Sequence, residues 1–193
     1  TVCTLVRDGA DYISDFLGRV ESLDGNHELR IVVLEGDSID GTWSILCDRA
    51  VRNHRITVIK MDTGQPKYPS VVDRDRFAHL AKLFTRLLDK CDTDWSDYIL
   101  FTPSYIDFDS DILARLLSRQ KDYIAPMFWM NDHVNGSRFY DIWGFRRGGE
   151  QLRPYSQAWY RANFPQEPVK MDTVGGMALI RSEIIARGAR PAL

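Results

Sequence analysis

The chain has few of the residues that mark disulfide-rich, membrane-spanning or nucleic-acid-binding proteins. Its 193 residues include three cysteines, an odd number and far apart, which fits reduced thiols better than disulfides or a zinc site. No apolar run has the length of a membrane span, and no signal peptide is visible. The net charge of −2 argues against a nucleic-acid-binding domain. We therefore expect a soluble, cytoplasmic domain with no nucleic-acid partner and no membrane segment.

Common nucleotide-binding and hydrolase motifs are also missing. The sequence has no P-loop and no G-x-G-x-x-G after its first apolar run, which argues against Walker-type and standard dinucleotide sites. It has no G-x-S-x-G nucleophile elbow. The four histidines lack metal-ligand spacing, so each is expected to be solvated or structural.

The apolar pattern predicts an α/β domain of ordinary size. Hydrophobic residues make up 44% of the chain and charged residues 27%, as in soluble globular proteins. Short apolar runs alternate with helical periodicity, which predicts a mostly parallel central sheet flanked by helices. The predicted strands are 2–6, 31–34, 56–59, 98–102, 123–129 and 174–180, and the predicted helices are 12–23, 40–53, 73–90, 108–117 and 183–186.

Carboxylates cluster where the predicted strands end. If the sheet is parallel there, they lie along one edge, where open α/β folds bind ligands. Converging carboxylates suit Mn²⁺ or Mg²⁺, which in turn holds a diphosphate. A surface turn and helix capping, the latter favoured for Asp109 and Asp111, are the alternatives. The three groups are Glu35, Asp37 and Asp40; Asp107, Asp109 and Asp111; and Asp172.

An aromatic segment, 139–146, adds a second feature. Its sequence FYDIWGFR places aromatic rings beside Asp141 and Arg146. Sugars bind on aromatic faces, with carboxylates and arginine fixing hydroxyls or phosphates. The alternative is a second hydrophobic cluster under a long loop.

Taken together, these segments resemble the GT-A nucleotide-sugar glycosyltransferases. VVLEGDSIDGT (32–42) looks like the signature after their second strand, and the chain start looks like their first strand and nucleotide loop. FYDIWGFR and MDTVGGMALIRSEII (171–185) resemble later segments of the branch that includes fungal capsule and mannan mannosyltransferases and related proteins of bacteria and large DNA viruses, including the chlorella virus capsid-glycosylating type. The resemblance covers nearly the whole chain.

The resemblance implies a single GT-A domain over 1–193, in which 1–102 bind the nucleotide and 103–193 hold the metal and acceptor. The chain could be a fragment of a longer one. By analogy Glu35 contacts the base or ribose, and Arg76 reaches the diphosphate or sugar. The full set implied to bind the nucleotide is Leu5, Val6, Arg7, Glu35, Asp37 and Arg76.

The resemblance also implies a Mn²⁺ or Mg²⁺ ion held by Asp107. GT-A enzymes commonly carry D-x-D after the fourth strand, but here Pro103-Ser104-Tyr105 stand in that place. A literal D-x-D, formed by Asp73 and Asp75, follows a loop and is the less favoured metal site.

The remaining implied roles concern the sugar and the reaction. The resemblance places Asp141, Trp143 and Arg146 around the sugar or acceptor, and it makes Asp172 the candidate base if the anomeric centre is inverted. The expected activity moves a hexose or deoxyhexose from a nucleoside diphosphate sugar, UDP favoured over GDP, to a hydroxyl of a glycan or glycoprotein. The alternatives are a sugar nucleotidyltransferase and an inactive carbohydrate-binding GT-A domain.

Overall fold

The computed structural model describes residues 1–23, 27–70, 73–132 and 136–191. The helices are α1 (Ile13–Glu21), α2 (Thr42–Arg52), α3 (Arg74–Leu88), α4 (Ile112–Ser118), α5 (Gln157–Asn163) and α6 (Ser182–Ala186). The strands are β1 (Val2–Val6), β2 (Ile31–Glu35), β3 (Ile56–Lys60), β4 (Tyr98–Phe101), β5 (Tyr123–Ile124), β6 (Trp129–Asp132), β7 (Gly136–Phe139), β8 (Arg146–Arg147), β9 (Glu150–Gln151) and β10 (Ala178–Arg181).

The central sheet has six strands in the order β3-β2-β1-β4-β10-β5. Strands β1 to β4 are parallel, whereas β10 pairs antiparallel with β4 and β5. The predicted mostly parallel sheet is therefore confirmed. Because β10 is antiparallel to β4, its first residue, Ala178, pairs with the last residue of β4, Phe101. The segment that precedes β10 therefore lies at the carboxyl edge of the parallel strands.

Two predicted strands and one predicted helix start differ from the structure. The run 123–129 is divided into β5 and the first residue of β6 by a segment that contains Pro126, as expected for a residue that donates no ladder hydrogen bond. The last strand begins at Ala178 rather than at 174. The capping expected of Asp109 and Asp111 is not found: the N-cap of α4 is Asp111, and its side chain makes no capping hydrogen bond.

Helices cover both faces of the sheet because alternate strand residues point to opposite sides. On one face, Val2 and Val6 pack with residues of α1, α2 and α4. On the other, Cys3 and Leu34 pack with residues of α3 and α6. The three cysteines are free thiols, as expected. In the part of the chain that the structure describes, no helix is both long and apolar enough to cross a membrane.

A third, aromatic cluster lies outside the sheet and is built around Phe139, Phe145 and Tyr160. The hydrophobic-cluster interpretation of segment 139–146 is thus correct for its phenylalanines. Tyr140 and Trp143 of the same segment remain exposed, so this cluster supports a surface on which aromatic rings are displayed.

Gly36, directly after β2, packs closely against the backbone of Met61, directly after β3. The amide of Met61 donates to the carbonyl of Glu35 at 2.8 Å, and a Cβ at Gly36 would collide with the carbonyl oxygen of Met61. We expect Gly36→Ala to lower the free energy of unfolding by about 1–3 kcal/mol, the usual cost of overpacking. Thermal unfolding measures this. The matched control is Gly18→Ala in α1, where nothing lies within 4 Å of the added Cβ; it should be neutral or stabilising, and equal losses for both variants would contradict the steric argument.

Candidate functional site

A cavity of about 370 Å³ opens at the carboxyl edge of the sheet, beyond β1 and β2. Its volume lies within the range of small-ligand sites. We call it the edge cleft. Its lining residues are Leu5, Val6, Arg7, Tyr12, Leu34, Gly36, Asp37, Met61, Lys67, Tyr68, Arg76, His79, Leu80, Leu83, Ser104 and Tyr105. The structure thus brings together five of the six residues implied to bind the nucleotide; Glu35 is the sixth.

A larger cavity, of about 540 Å³, lies at the opposite edge of the sheet, lined by Thr1, Trp95 and Arg181 among others. It adjoins the amino ends of the parallel strands, whereas open α/β folds bind ligands at the carboxyl ends. The edge cleft is therefore the candidate functional site.

Glu35 lies beneath the edge cleft rather than in its wall. Its side chain is 0% exposed and pairs with the ammonium of Lys60, whose Nζ lies 2.6 Å from Oε2. Its Oε1 accepts a hydrogen bond from the amide of Ser38 at 3.2 Å. The hydrogen bond to this carboxylate raises the pKa of Lys60. Contact of Glu35 with a base or ribose stays a prediction; the structure shows a carboxylate that orders the acidic turn.

Asp37 lines the edge cleft and ties the turn after β2 to the loop after β3. Its carboxylate accepts hydrogen bonds from the amides of Thr63 and Gly64 at 3.0 and 2.8 Å and from the Thr63 hydroxyl at 2.6 Å. Its own amide donates to Asp62 at 2.7 Å. Partial desolvation opposes ionisation, but the hydrogen bonds from Thr63 and Gly64 prevail and lower the pKa of Asp37.

The turns after β1 and β2 are locked to each other by side chains. The Ser38 hydroxyl accepts from the amide of Asp8 at 2.8 Å, and Asp8 accepts from the amide of Ile39 at 2.8 Å. Asp40 accepts from the amide of Ala10 at 3.0 Å, and the Thr42 hydroxyl accepts from the amide of Gly9 at 2.7 Å. This network explains why an acidic, hydroxyl-rich turn follows β2.

Three cationic side chains line the edge cleft. Arg7 donates to the carbonyl of Gln65 at 2.8 Å, and the ammonium of Lys67 lies 2.6 Å from Asp8. Arg76 extends from the first turn of α3 into the same wall. The hydrogen bond from Lys67 is the main reason for the lowered pKa of Asp8.

Tyr105 joins the edge cleft to segment 139–146. Its side chain is 57% exposed, and its hydroxyl lies 3.5 Å from that of Tyr140. Desolvation of the hydroxyl is the largest cause of its raised pKa; Tyr140 and the charge of Asp141 add to it, and Arg76 acts against them. The phenol therefore stays protonated and can donate a hydrogen bond into the cleft.

The carboxylate of Asp141 packs against Gly144 and Gly175. Its Oδ1 accepts from the amide of Gly144 at 2.8 Å, and a Cβ at Gly175 would collide with its Oδ2. No hydrogen bond from a described residue reaches Oδ2. Desolvation raises the pKa of Asp141 against the opposing Gly144 amide. This carboxylate is half-buried and directly follows Tyr140, whose hydroxyl lies 3.5 Å from that of Tyr105. Its raised pKa suits it to accept a proton.

Asp172 lies near Arg146 but is engaged elsewhere. Its Oδ2 accepts from the amide of Gly149 at 2.7 Å, and its own amide donates to the carbonyl of Arg146 at 2.8 Å. Both residues are exposed, as is Trp143. The structure thus joins segments 141–146 and 172–176.

The carboxylates implied to bind metal do not converge. Asp107 is 87% exposed, and its Oδ1 pairs with Arg19 at 2.9 Å. Asp73 is the N-cap of α3 and accepts from the amides of Asp75 and Arg76. Across the ranges described above, no group of three or more His, Cys, Asp or Glu side chains could hold a metal ion. The carboxylates expected to hold Mn²⁺ or Mg²⁺ are thus engaged by other residues and do not form a ligand set, and the metal stays an untested prediction.

Lys67 and Tyr105 line the edge cleft but were not among the predicted site residues. Lys67 lies in the Gly- and Pro-containing loop after β3, and Tyr105 lies where the resemblance placed a D-x-D. The missing D-x-D was the one available signal for Tyr105. Nothing in the sequence indicated that Lys67 would pair with a residue 59 positions earlier, Asp8.

No model of a known protein family and no curated protein sequence matches this chain. Among solved structures, S. aureus TarS 1–349 in complex with UDP superposes with a TM-score of 0.59 and 14% identity, over 96% of this chain and 47% of that one. The galactosyltransferase LgtC, in complex with donor and acceptor sugar analogs, gives a TM-score of 0.50 and 15% identity, over 97% of this chain and 60% of that one. This chain spans about half the length of the TarS 1–349 chain.

At such identities the likeness concerns the fold alone. The predicted GT-A fold is confirmed by these neighbours and by the sheet order, while membership of the fungal mannosyltransferase or viral branch stays a prediction. The chain has the α/β architecture of the GT-A glycosyltransferases.

Proposed function

We propose that this chain is a glycosyltransferase that moves a sugar from a nucleoside diphosphate donor to a hydroxyl of a glycan or glycoprotein. The observation that carries the proposal is the edge cleft, which combines apolar walls and three cations at the carboxyl edge of a GT-A sheet. The complex of TarS 1–349 with UDP supports UDP as the nucleotide. The sugar, a hexose or deoxyhexose, is part of the same proposal.

Two groups of lining residues suit the two parts of such a donor. Leu5, Leu34 and Leu83 provide apolar contact for a nucleoside, while Tyr12 and Tyr68 offer ring faces. Arg7, Lys67 and Arg76 suit the diphosphate because guanidinium and ammonium groups form charge-assisted hydrogen bonds with phosphate oxygens.

A transfer that inverts the anomeric centre needs a base for the acceptor hydroxyl. The acceptor oxygen forms a bond to the anomeric carbon, the bond to the diphosphate oxygen breaks, and the electron pair leaves with the diphosphate. We assign the released proton to Asp141. This carboxylate directly follows Tyr140, whose hydroxyl contacts Tyr105 of the edge cleft, has an oxygen without a hydrogen bond from the described residues, and has a raised pKa. Asp172, the base implied by the resemblance, stays the rival assignment, and Trp143 and Arg146 would bound the acceptor.

Donor binding can be tested by thermal shift with UDP- and GDP-sugars. At 100 times the dissociation constant, a ligand that binds only the folded chain adds about 2.7 kcal/mol, which corresponds to a rise in Tm of about 5–10 °C for a chain of this size. We expect this rise with a UDP-sugar and a smaller one with UMP, which lacks the second phosphate. No shift with any UDP- or GDP-sugar would remove the donor assignment.

Release of nucleoside diphosphate separates the enzyme from its alternatives. A glycosyltransferase releases UDP slowly to water even without acceptor, a carbohydrate-binding GT-A domain releases none, and a sugar nucleotidyltransferase forms pyrophosphate from a nucleoside triphosphate. We expect UDP release from the wild-type chain.

A further inference from the structure

We propose that the donor diphosphate in this cleft is neutralised by the side chains of Arg7, Lys67 and Arg76, with Tyr105 as a neutral donor, and that no divalent metal ion is required. This inference rests on the proposed function and concerns how the same site holds its substrate.

In the turn after β4, residues 103–105 stand where the resemblance led us to expect D-x-D. Thr102 and Ser104 are buried, and the Ser104 hydroxyl donates to the carbonyl of Leu5 at 3.2 Å. Pro103 lies between them and has no side-chain oxygen. The turn therefore presents the phenol of Tyr105 to the edge cleft, which is a hydrogen-bond donor and a poor ligand for a hard cation.

Nearby carboxylates are already engaged. Asp37 accepts hydrogen bonds from the amide and hydroxyl of Thr63 and from the amide of Gly64, and Asp8 accepts from Ile39 and pairs with Lys67. Mg²⁺ at a phosphate site is bound by one or two carboxylates together with phosphate oxygens and water, and an ion held here would have to compete with these partners for its carboxylate ligands.

Cationic side chains outnumber the carboxylates that line the edge cleft. Arg7, Lys67 and Arg76 line it, and Asp37 is the one carboxylate among the lining residues named above, with Asp8 behind Lys67. Tyr105 lines the same cleft as Arg76, and the charge of Arg76 acts weakly against the rise in the pKa of the phenol. A leaving diphosphate placed there meets positive charge from three segments of the chain, and stabilisation of charge as it develops is a major catalytic term.

The test is UDP binding measured by calorimetry on the wild-type chain, in excess EDTA and then in excess Mn²⁺. We expect the two dissociation constants to agree within about threefold. A metal ion that contacted the phosphates would lower the dissociation constant about tenfold for each 1.4 kcal/mol it contributed. UDP-sugar turnover should likewise persist in EDTA.

Variants then identify the groups that replace the metal. Arg76→Ala should weaken UDP binding about 10- to 100-fold, as expected for loss of charge-assisted hydrogen bonds. The matched control is Arg86→Ala, which removes an exposed arginine from the last turn of the same helix and should leave UDP affinity unchanged. Thermal unfolding of both variants checks that they remain folded.

The outcomes are distinguishable. UDP binding that appears only with Mn²⁺, or that Mn²⁺ strengthens more than about threefold, overturns this inference and leaves the proposed function intact. Equal affinity with and without Mn²⁺, but no loss in Arg76→Ala, also overturns it. Failure of both UDP and GDP to bind under either condition removes the proposed function, and this inference with it.

Discussion

Asp141→Asn is expected to lower kcat for sugar transfer about 10²- to 10⁴-fold, the usual contribution of a general base, while leaving UDP affinity within about threefold. Asparagine keeps an oxygen that can accept from the amide of Gly144, now 2.8 Å from Oδ1, so the fold of the segment should persist. What is lost is the carboxylate that can take the acceptor's proton. Initial rates with a UDP-sugar and acceptor, together with calorimetry for UDP, measure the two effects separately.

Asp172→Asn is the matched control. Because the carboxylate of Asp172 is bound to the amide of Gly149, this change should reduce kcat less than tenfold. The reverse ranking of the two variants would transfer the role of base to Asp172. An independent check uses Gly175→Ala, in which Asp141 is intact but its Oδ2 is displaced by the new methyl group; kcat should fall there as well.

The pH profile gives a further readout of the same group. The base must be deprotonated to act, so the rate should fall as the pH decreases through the pKa of Asp141. Desolvation raises that pKa, so the acid limb should lie at a higher pH than for a solvated aspartate. In Asp141→Asn this limb should disappear, and its persistence would contradict the assignment.

Lys60→Met is expected to cost about 3–5 kcal/mol of stability, because it leaves a buried carboxylate without its counter-charge. Glu35 is 0% exposed and Lys60 34% exposed, with 2.6 Å between their charged atoms. For a chain of this length the loss corresponds to a fall in Tm of roughly 6–20 °C. Denaturant unfolding measures it.

Arg119→Met provides the comparison for Lys60→Met. Arg119 and Glu167 form a pair at 3.0 Å with side chains 44% and 82% exposed, and such pairs contribute about 0–1 kcal/mol. Similar losses in the two variants would show that Glu35 is not held in a dry environment. If Lys60→Met alone is severe, the double variant Glu35→Gln, Lys60→Met should recover part of the loss, since the unpaired charge is removed.

The fold could be predicted from sequence because its signals are local. Strands β1, β2 and β3 are short apolar runs, each followed by turn residues, and α1 and α3 show apolar residues at helical spacing. The prediction failed where tertiary contacts determine the bounds of an element. Strand β10 begins only at Ala178, which pairs with Phe101.

The site could be predicted only in part, for the same reason. Arg7, Asp37 and Arg76 follow or begin elements whose position was readable, and they do meet in the edge cleft. The burial of Glu35 could not be read from LEGDSIDGT, because it depends on Lys60 arriving from the next strand. Likewise, the ion pair of Asp107 with Arg19 joins segments 88 positions apart, and no spacing rule reports such a contact.

The locked turns after β1 and β2 also bear on how tightly a ligand can bind. Because Asp8, Ser38, Asp40 and Thr42 already fix these backbones in the folded chain, the conformational entropy of ordering the turns is lost during folding and not during association. Substitutions such as Ser38→Ala would then lower the affinity for a nucleotide without removing any atom that contacts it. The turns would no longer be ordered in the free protein, so each binding event would have to order them.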